Sequence, residues 1–232
     1  MVTSVTDQLA QIADAWDPTE WVLVGGLMVH LQAERAAIVH HRPTNDVDIV
    51  VEIAATTYTR AAHLIEGLGF VRHESIDATA PFHRFVRDDE IVDLMAPSGS
   101  PVRFARRRVV SAAASAAALR EPIWHQLPTG QQIRLPQLPA ALAMKGAALE
   151  TSSPSRVRHL QDAVTLFACV GDADMVLSKS MRAHVNRAVL GLGSTSEAWA
   201  NADLSTRRAA IRAIRRYRPD WVIPDFALPK RV

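Results

Sequence analysis

Residues 45–52 read NDVDIVVE. Along a β-strand side chains alternate between faces, so Asp46 and Asp48 share one face while Val47 and Ile49 share the other. Two carboxylates roughly 6–7 Å apart along one strand repel each other. A fold that keeps such a pair at the mouth of an apolar strand ordinarily supplies a cation. Hard oxygen ligands suit Mg2+ or Mn2+ better than zinc. A third carboxylate would complete a two-metal site. Asp93, set among apolar residues in IVDLM, is the candidate for it.

The segment before this strand fits the same scheme. WVLVGG reads as a short buried strand closed by a glycine turn, and GLMVHLQAERAA as the helix that follows. Gly25 and Gly26 would let backbone N–H groups and the helix N-terminus approach a triphosphate closely. Each piece also has a structural reading. Gly-Gly turns after strands are common, strand ends often carry aspartate, and Asp93 can be a hairpin acid facing solvent. The order of the pieces is more specific than any one of them.

The remaining pattern predicts an α/β fold, with a small mixed sheet flanked by helices and a helical C-terminal region. Residues 4–15 carry an amphipathic helical stripe ended by Asp17-Pro18, and Thr56 to Leu68 predicts a second such helix. FVRHESI, PFHRFVR and EIVDLMAP read as strands, the last two joined through an Asp88-Asp89 turn. LPTGQQIRLPQLP has room for a short strand. AALAMKGAALE, SRVRHLQDAVTLFACV, a polar segment from Ala173, and residues 203–217 all read as helices. The change of texture near residue 100 suggests a core over 1–100 and a mostly helical region over 101–232 that completes the active-site cleft.

Composition sets limits on partners and compartment. No apolar run reaches the roughly 18 residues a membrane helix needs. The acidic, amphipathic N-terminus is not a signal peptide. The single cysteine, Cys169, lies in AVTLFACV and reads as a buried, inert thiol. It permits no disulfide within one chain, which fits a cytoplasmic setting. The net charge is only +2, but the arginines cluster at 103 and 106–108 and again at 207, 208, 212, 215, 216 and 218. Such runs bind phosphate backbones or form solvated helix faces. His40 and His41 read as loop residues near a nucleotide, and His83, His125 and His159 as structural. Lys145 stands on an apolar helix face, where it either snorkels to solvent or offers a cation to phosphates. Asp162 either pairs with Lys145 or is a surface acid near Arg158.

Taken together, Gly25-Gly26, Asp46-Val47-Asp48 and Asp93 resemble the signature of the polymerase-β-type nucleotidyltransferase superfamily. Within it the chain looks most like the AbiEii-type nucleotidyltransferases, a family that includes toxins of toxin–antitoxin pairs. Arg42 and Thr44 extend the likeness as Arg-x-Thr-x-Asp-x-Asp. IRLPQLPAALAMKGAALE resembles the family's lysine-bearing helix, with Lys145 as that lysine, and RVRHLQDAV its following motif, with Asp162 at the acidic position. The resemblance covers roughly residues 20–170. It implies transfer of an NMP from an NTP to an acceptor hydroxyl. Asp46, Asp48 and Asp93 would bind Mg2+ or Mn2+, Gly25, Gly26, Arg42, Thr44 and Lys145 would hold the nucleotide, and Lys145 and Asp162 would take part in catalysis. RNA, and a tRNA end in particular, is the implied acceptor, with a cognate antitoxin as a further partner. The alternatives are a small-molecule acceptor such as an aminoglycoside and a non-catalytic, antitoxin-like nucleotide-binding protein.

Overall fold

Four consecutive apolar residues make β1 (Trp21–Val24), and every one of them is buried. A run without polar alternation marks a strand covered on both faces. The computed structural model describes residues 4–40, 42–73, 81–150, 155–171, 173 and 175–228. Ahead of β1, α1 (Val5–Ala15) begins at a capping box in which Ser4 and Asp7 bond each other's backbone. It buries Leu9 and Ile12. Then come α2 (Gly25–Arg35), β2 (Asp46–Val51), α3 (Tyr58–Gly67), β3 (Val71–Arg72), β4 (Arg84–Arg87) and β5 (Glu90–Pro97).

These strands form a mixed sheet in the order β1-β2-β5-β4-β3. β2 and β5 are parallel; the other pairs along this path are antiparallel. The Asp88-Asp89 turn between β4 and β5 forms as predicted, so Arg87 pairs with Glu90 and Arg84 with Asp93. Beyond Asp48, β2 is buried on both faces, and Val47, Ile49, Val50, Phe85, Val92 and Leu94 are all fully enclosed. The Tyr58 hydroxyl at the start of α3 donates to the Leu94 carbonyl at 2.9 Å. Of the predicted strand FVRHESI, Val71–Arg72 pairs with β4 and the His73 N–H donates to the Arg84 carbonyl at 3.0 Å, while Glu74 to Ile76 lie outside the described residues.

Residues 101–137 are not mainly helical. They hold β6 (Arg103–Phe104), β7 (Arg107–Arg108), β8 (Ser111–Ala112), the short α4 (Ala116–Arg120), β9 (Pro122–Gln126) and β10 (Gln132–Pro136). β8 adds in parallel to β5, and β9 pairs with β10 in a hairpin. The β9 half gave no sequence signal: it opens on a proline, and none of its five side chains is fully buried, so no apolar alternation marks it. Arg134 of β10 donates to the carbonyls of Pro18 at 2.7 Å, Thr19 at 2.5 Å and Trp21 at 2.9 Å. That bonding ties the segment to the entrance of β1. The chain forms two compact units, Met1–Met28 with Thr44–Gln137 and Val29–Pro43 with Leu138–Val232.

The second unit is built on α5 (Leu138–Ala148), α6 (Arg156–Val170), α7 (Lys179–Ser194) and α8 (Leu204–Tyr217). α5 is buried nearly all round, as an alanine-rich helix without a polar face must be. α7 starts at Lys179, capped by Ser178, and not at Ala173. The predicted α8 forms, burying Ala209, Ala210, Ile211, Ala213 and Ile214. Cys169 is half-buried in α6, and burial pushes its thiol up to about 12, in keeping with an inert thiol. Among the described residues no helix is long and apolar enough to cross a membrane.

α5 meets α7 closely at Gly146, where an added Cβ would fall 2.0 Å from the His184 carbonyl oxygen. Backbone cannot yield as a side-chain tip can. Gly146→Ala is therefore expected to lower the unfolding free energy by about 1–3 kcal/mol. Gly67→Ala is the control, because nothing lies within 4 Å of its Cβ position. Urea titration of both variants checks this; equal midpoints would show that the helices separate without cost.

Candidate metal centre and a buried ion cluster

One row across the sheet assembles the candidate centre. Val24 of β1 pairs with Asp48 of β2, Asp48 with Asp93 of β5, and Asp93 with Arg84 of β4. Residues opposite one another in a sheet project to the same face. Asp46 lies two residues before Asp48 and joins the same face. Asp46, Asp48 and Asp93 thus bring one carboxylate oxygen each to within 4.8 Å of one another. Two oxygens on opposite sides of one Mg2+ stand about 4.2 Å apart, so the trio is close to a ligating arrangement. Three carboxylates are hard donors that fit Mg2+ or Mn2+.

Asp93 does not face solvent. It is 6% exposed, and Arg84 grips it with two hydrogen bonds, Nε to Oδ1 at 2.8 Å and Nη2 to Oδ2 at 2.7 Å. The Arg84 guanidinium is held above its ordinary value, first by that hydrogen bonding to Asp93. A carboxylate has about four acceptor positions, so Arg84 leaves one on each oxygen. Three carboxylates and one guanidinium sum to −2, the complement of one divalent ion. His83 Nε2 stands 3.7 Å from Asp93 Oδ2. The sequence carried a signal for Arg84: a two-residue turn at Asp88-Asp89 sets the register that places it opposite Asp93.

Gly25 and Thr44 also stand at this centre. Gly25 has φ +71°, and a Cβ there would lie 1.7 Å from Asp48 Oδ2. The glycine therefore makes room for the Asp48 carboxylate, a role distinct from the phosphate contact predicted for it. Gly26 follows as the second residue of α2. The Thr44 hydroxyl donates to Asp46 Oδ1 at 2.9 Å and orients it.

Arg42, Lys145 and Asp162 assemble in the second unit. Lys145 Nζ is 2.7 Å from Asp162 Oδ2, with side-chain exposures of 7% and 1%. Arg42 donates Nε to Asp162 Oδ1 at 2.7 Å and Nη2 to Oδ2 at 3.2 Å. Lys145 therefore does not snorkel to solvent, and Asp162 is not a surface acid. The two cations and one carboxylate sum to +1. His40, from the loop after α2, sets Nδ1 3.1 Å from Thr165 Oγ1, and its buried Nε2 has no partner among the described residues. His41 lies outside the described residues. Burial first of all, with Arg42 and Lys145 opposing protonation and Asp162 favouring it, holds His40 down at about 4. Burial, then the Lys145 charge, does the same for His159.

No protein-family model matches this chain, and no curated protein matches it.

Two outcomes are expected of the second cluster. Asp162→Ala strands two cations and should cost about 3–5 kcal/mol, whereas Lys145→Met leaves the carboxylate its Arg42 partner and should cost less. Denaturant titration ranks them, and the reverse order would make Arg42 the minor partner. Both histidines titrate near 4 folded and near 6.5 unfolded. Between those values the unfolded chain binds more protons, so their contribution is complete above about pH 6.5 and falls as pH drops toward 4. Melting scans across that window should show a shallower decline for a His40→Gln/His159→Gln double variant.

Proposed function

We propose that this protein is a metal-dependent nucleotidyltransferase of the AbiEii type, moving an NMP from an NTP to an acceptor hydroxyl. The reading rests on one observation: three carboxylates on neighbouring strands converge at a net charge of −2 beside a glycine with no space for a Cβ. The acceptor oxygen forms a bond to the α-phosphorus, the bond from that phosphorus to the α,β-bridging oxygen breaks, and pyrophosphate leaves with the electron pair. A divalent ion bound here would neutralise charge on the reacting phosphate and raise the acidity of the acceptor hydroxyl.

In this reading Asp46 and Asp48 hold the metal, Asp46 aimed by Thr44. Asp93 completes the ligand set and assists removal of the acceptor proton, held in one rotamer by Arg84. The turn at Gly25 and Gly26 leaves backbone open to the nucleotide's phosphates. Lys145 and Arg42 share one carboxylate between two positive charges, a charge state suited to an anion, and the reading assigns them the phosphates.

RNA is the acceptor this reading favours, a tRNA end in particular, and toxin action with a cognate antitoxin belongs to the same proposal. The support is the outer face of α8: Arg208, Arg212, Arg215 and Arg216 are all exposed, and the helix contains no acid. A cationic aminoglycoside would avoid such a face. A non-catalytic nucleotide-binding protein would have no need to keep three crowded carboxylates.

Incubation with each labelled NTP, Mg2+ or Mn2+ and total RNA should put label on RNA. Asp48→Asn should abolish transfer, and should melt no lower than the wild type without metal, because it removes one repelling charge at constant volume. The wild type should gain about 2.7 kcal/mol of stability from Mg2+ with its NTP at a hundredfold excess over Kd. No label and no stabilisation with any NTP would defeat the proposal.

A further inference from the structure

The hairpin formed by β6 and β7 is built against its own local preferences. Its two-residue loop is Ala105-Arg106, with φ of +47° and +66°. Turns with two left-handed central residues favour Asn-Gly or Asp-Gly, and side chains there strain the backbone. Across the two strands Arg103 faces Arg108 directly. Like charges opposite one another destabilise a strand pair. From Leu94 to Arg120 the chain has five arginines and no acid to compensate. Arg103, Arg106 and Arg108 are exposed, and neither Arg106 nor Arg108 has a carboxylate partner among the described residues.

Despite this the ribbon is firmly rooted. Phe104 is buried, with ring centroids 5.6 Å from Tyr58 and 5.8 Å from Phe82, and the Arg72 guanidinium lies over its ring at 4.8 Å. The Phe82 N–H donates to the Arg108 carbonyl at 2.7 Å, and the Val110 N–H to the Phe82 carbonyl at 3.0 Å. Phe82 stands two residues before Arg84, about 7 Å along an extended chain from the residue that grips Asp93. A root of packed aromatic rings thus carries an outer surface of arginines and Ala105, within the same unit as the three carboxylates.

We infer that the β6–β7 hairpin is a prong that grips the phosphodiester backbone of a polynucleotide acceptor. Arg103 Nη2 donates to the Arg106 carbonyl at 3.0 Å and braces the turn; the Arg106 and Arg108 guanidinium groups, with their fork geometry, suit phosphate oxygens. A protein partner would need an apolar centre to exclude water, and the outward side chains here are arginines and Ala105. Backbone phosphates remove both the Arg103–Arg108 repulsion and the reason to regard Arg106 as misplaced. The inference rests on the transfer reading for the meaning of "acceptor", but binding can be measured without transfer.

The test uses fluorescein-labelled tRNA with the full chain carrying Asp48→Asn, in EDTA and without nucleotide, across about 50–200 mM salt. Affinity should fall with salt. Adding Arg106→Gly or Arg108→Glu should weaken binding roughly tenfold at low salt and flatten the log–log slope by about 0.7 for each single-strand phosphate that is no longer neutralised. Both variants should melt no lower than their parent, since one relieves left-handed strain and the other replaces a like pair by Arg103–Glu. Unchanged affinity and slope in both variants would overturn the inference, as would weakening that appears only with a lower melting temperature. In the wild-type background the same two changes should leave intact the melting shift given by Mg2+ with whichever of the four NTPs stabilises the wild type. Loss of that shift would mean that the hairpin serves the nucleotide, and would also overturn it. Tight, salt-sensitive tRNA binding without label transfer would count against the transfer reading alone.

Discussion

The sheet depends on how it tolerates Asp48 directly opposite Asp93. Two like charges 4 Å apart interact by about 4 kcal/mol at an effective dielectric near 20, several times what a favourable cross-strand pair contributes. Arg84, next in the same row, cancels one of the charges with two short hydrogen bonds. Thr44 satisfies part of Asp46, and Gly25 gives Asp48 the space a side chain would take. What remains is a charge of −2 held at the edge of a largely apolar core. The strands are locked by burial on both faces beyond Asp48, so the carboxylates cannot move apart by a shift of register without exposing Ile49 or Val50.

The second unit handles charge in the opposite way. There one carboxylate, Asp162, answers two cations, and all three groups sit among the alanine-rich helices. Hydrogen bonds take up both Asp162 oxygens, which is what allows so buried a charge to persist. Burial, first of all, holds the two neighbouring imidazoles below their ordinary value, with the Lys145 and Arg42 charges acting in the same direction. One unit thus concentrates negative charge on a rigid sheet, and the other keeps a positive remainder inside a helical bundle.

Much of this was legible from residue order. The strand, glycine turn, helix and Asp-x-Asp strand fall where their periodicity puts them, as do α1, α3, α5, α6 and α8. The partnership of Asp162 with Lys145 was legible as an alternative. Arg84 was readable through the Asp88-Asp89 turn but is separated from any motif. Strand β9 and the short strands near the arginine cluster left little trace, because their side chains are too exposed to show a period of two. The division of the chain between Pro43 and Thr44 was not visible, since Arg42 and Thr44 stand in one short motif yet bond to partners in different units.

By itself the sequence determined the strands and helices with a clear period, among them β1, β2, α1, α3, α5, α6 and α8, and that Asp46 and Asp48 share a face, because both follow from local periodicity and turn chemistry. It also determined that the arginines of α8 lie on one side, by helical spacing alone. Only the tertiary structure decided that Asp93 stands beside Asp48, that its charge is answered by Arg84, and that Lys145 is buried against Asp162 rather than lifted to solvent. Those outcomes depend on parallel pairing between strands more than forty residues apart and on the packing of helices around a buried charge. Neither is encoded at any one position, since the burial that sets the cost of a charge is created by residues distant in the chain.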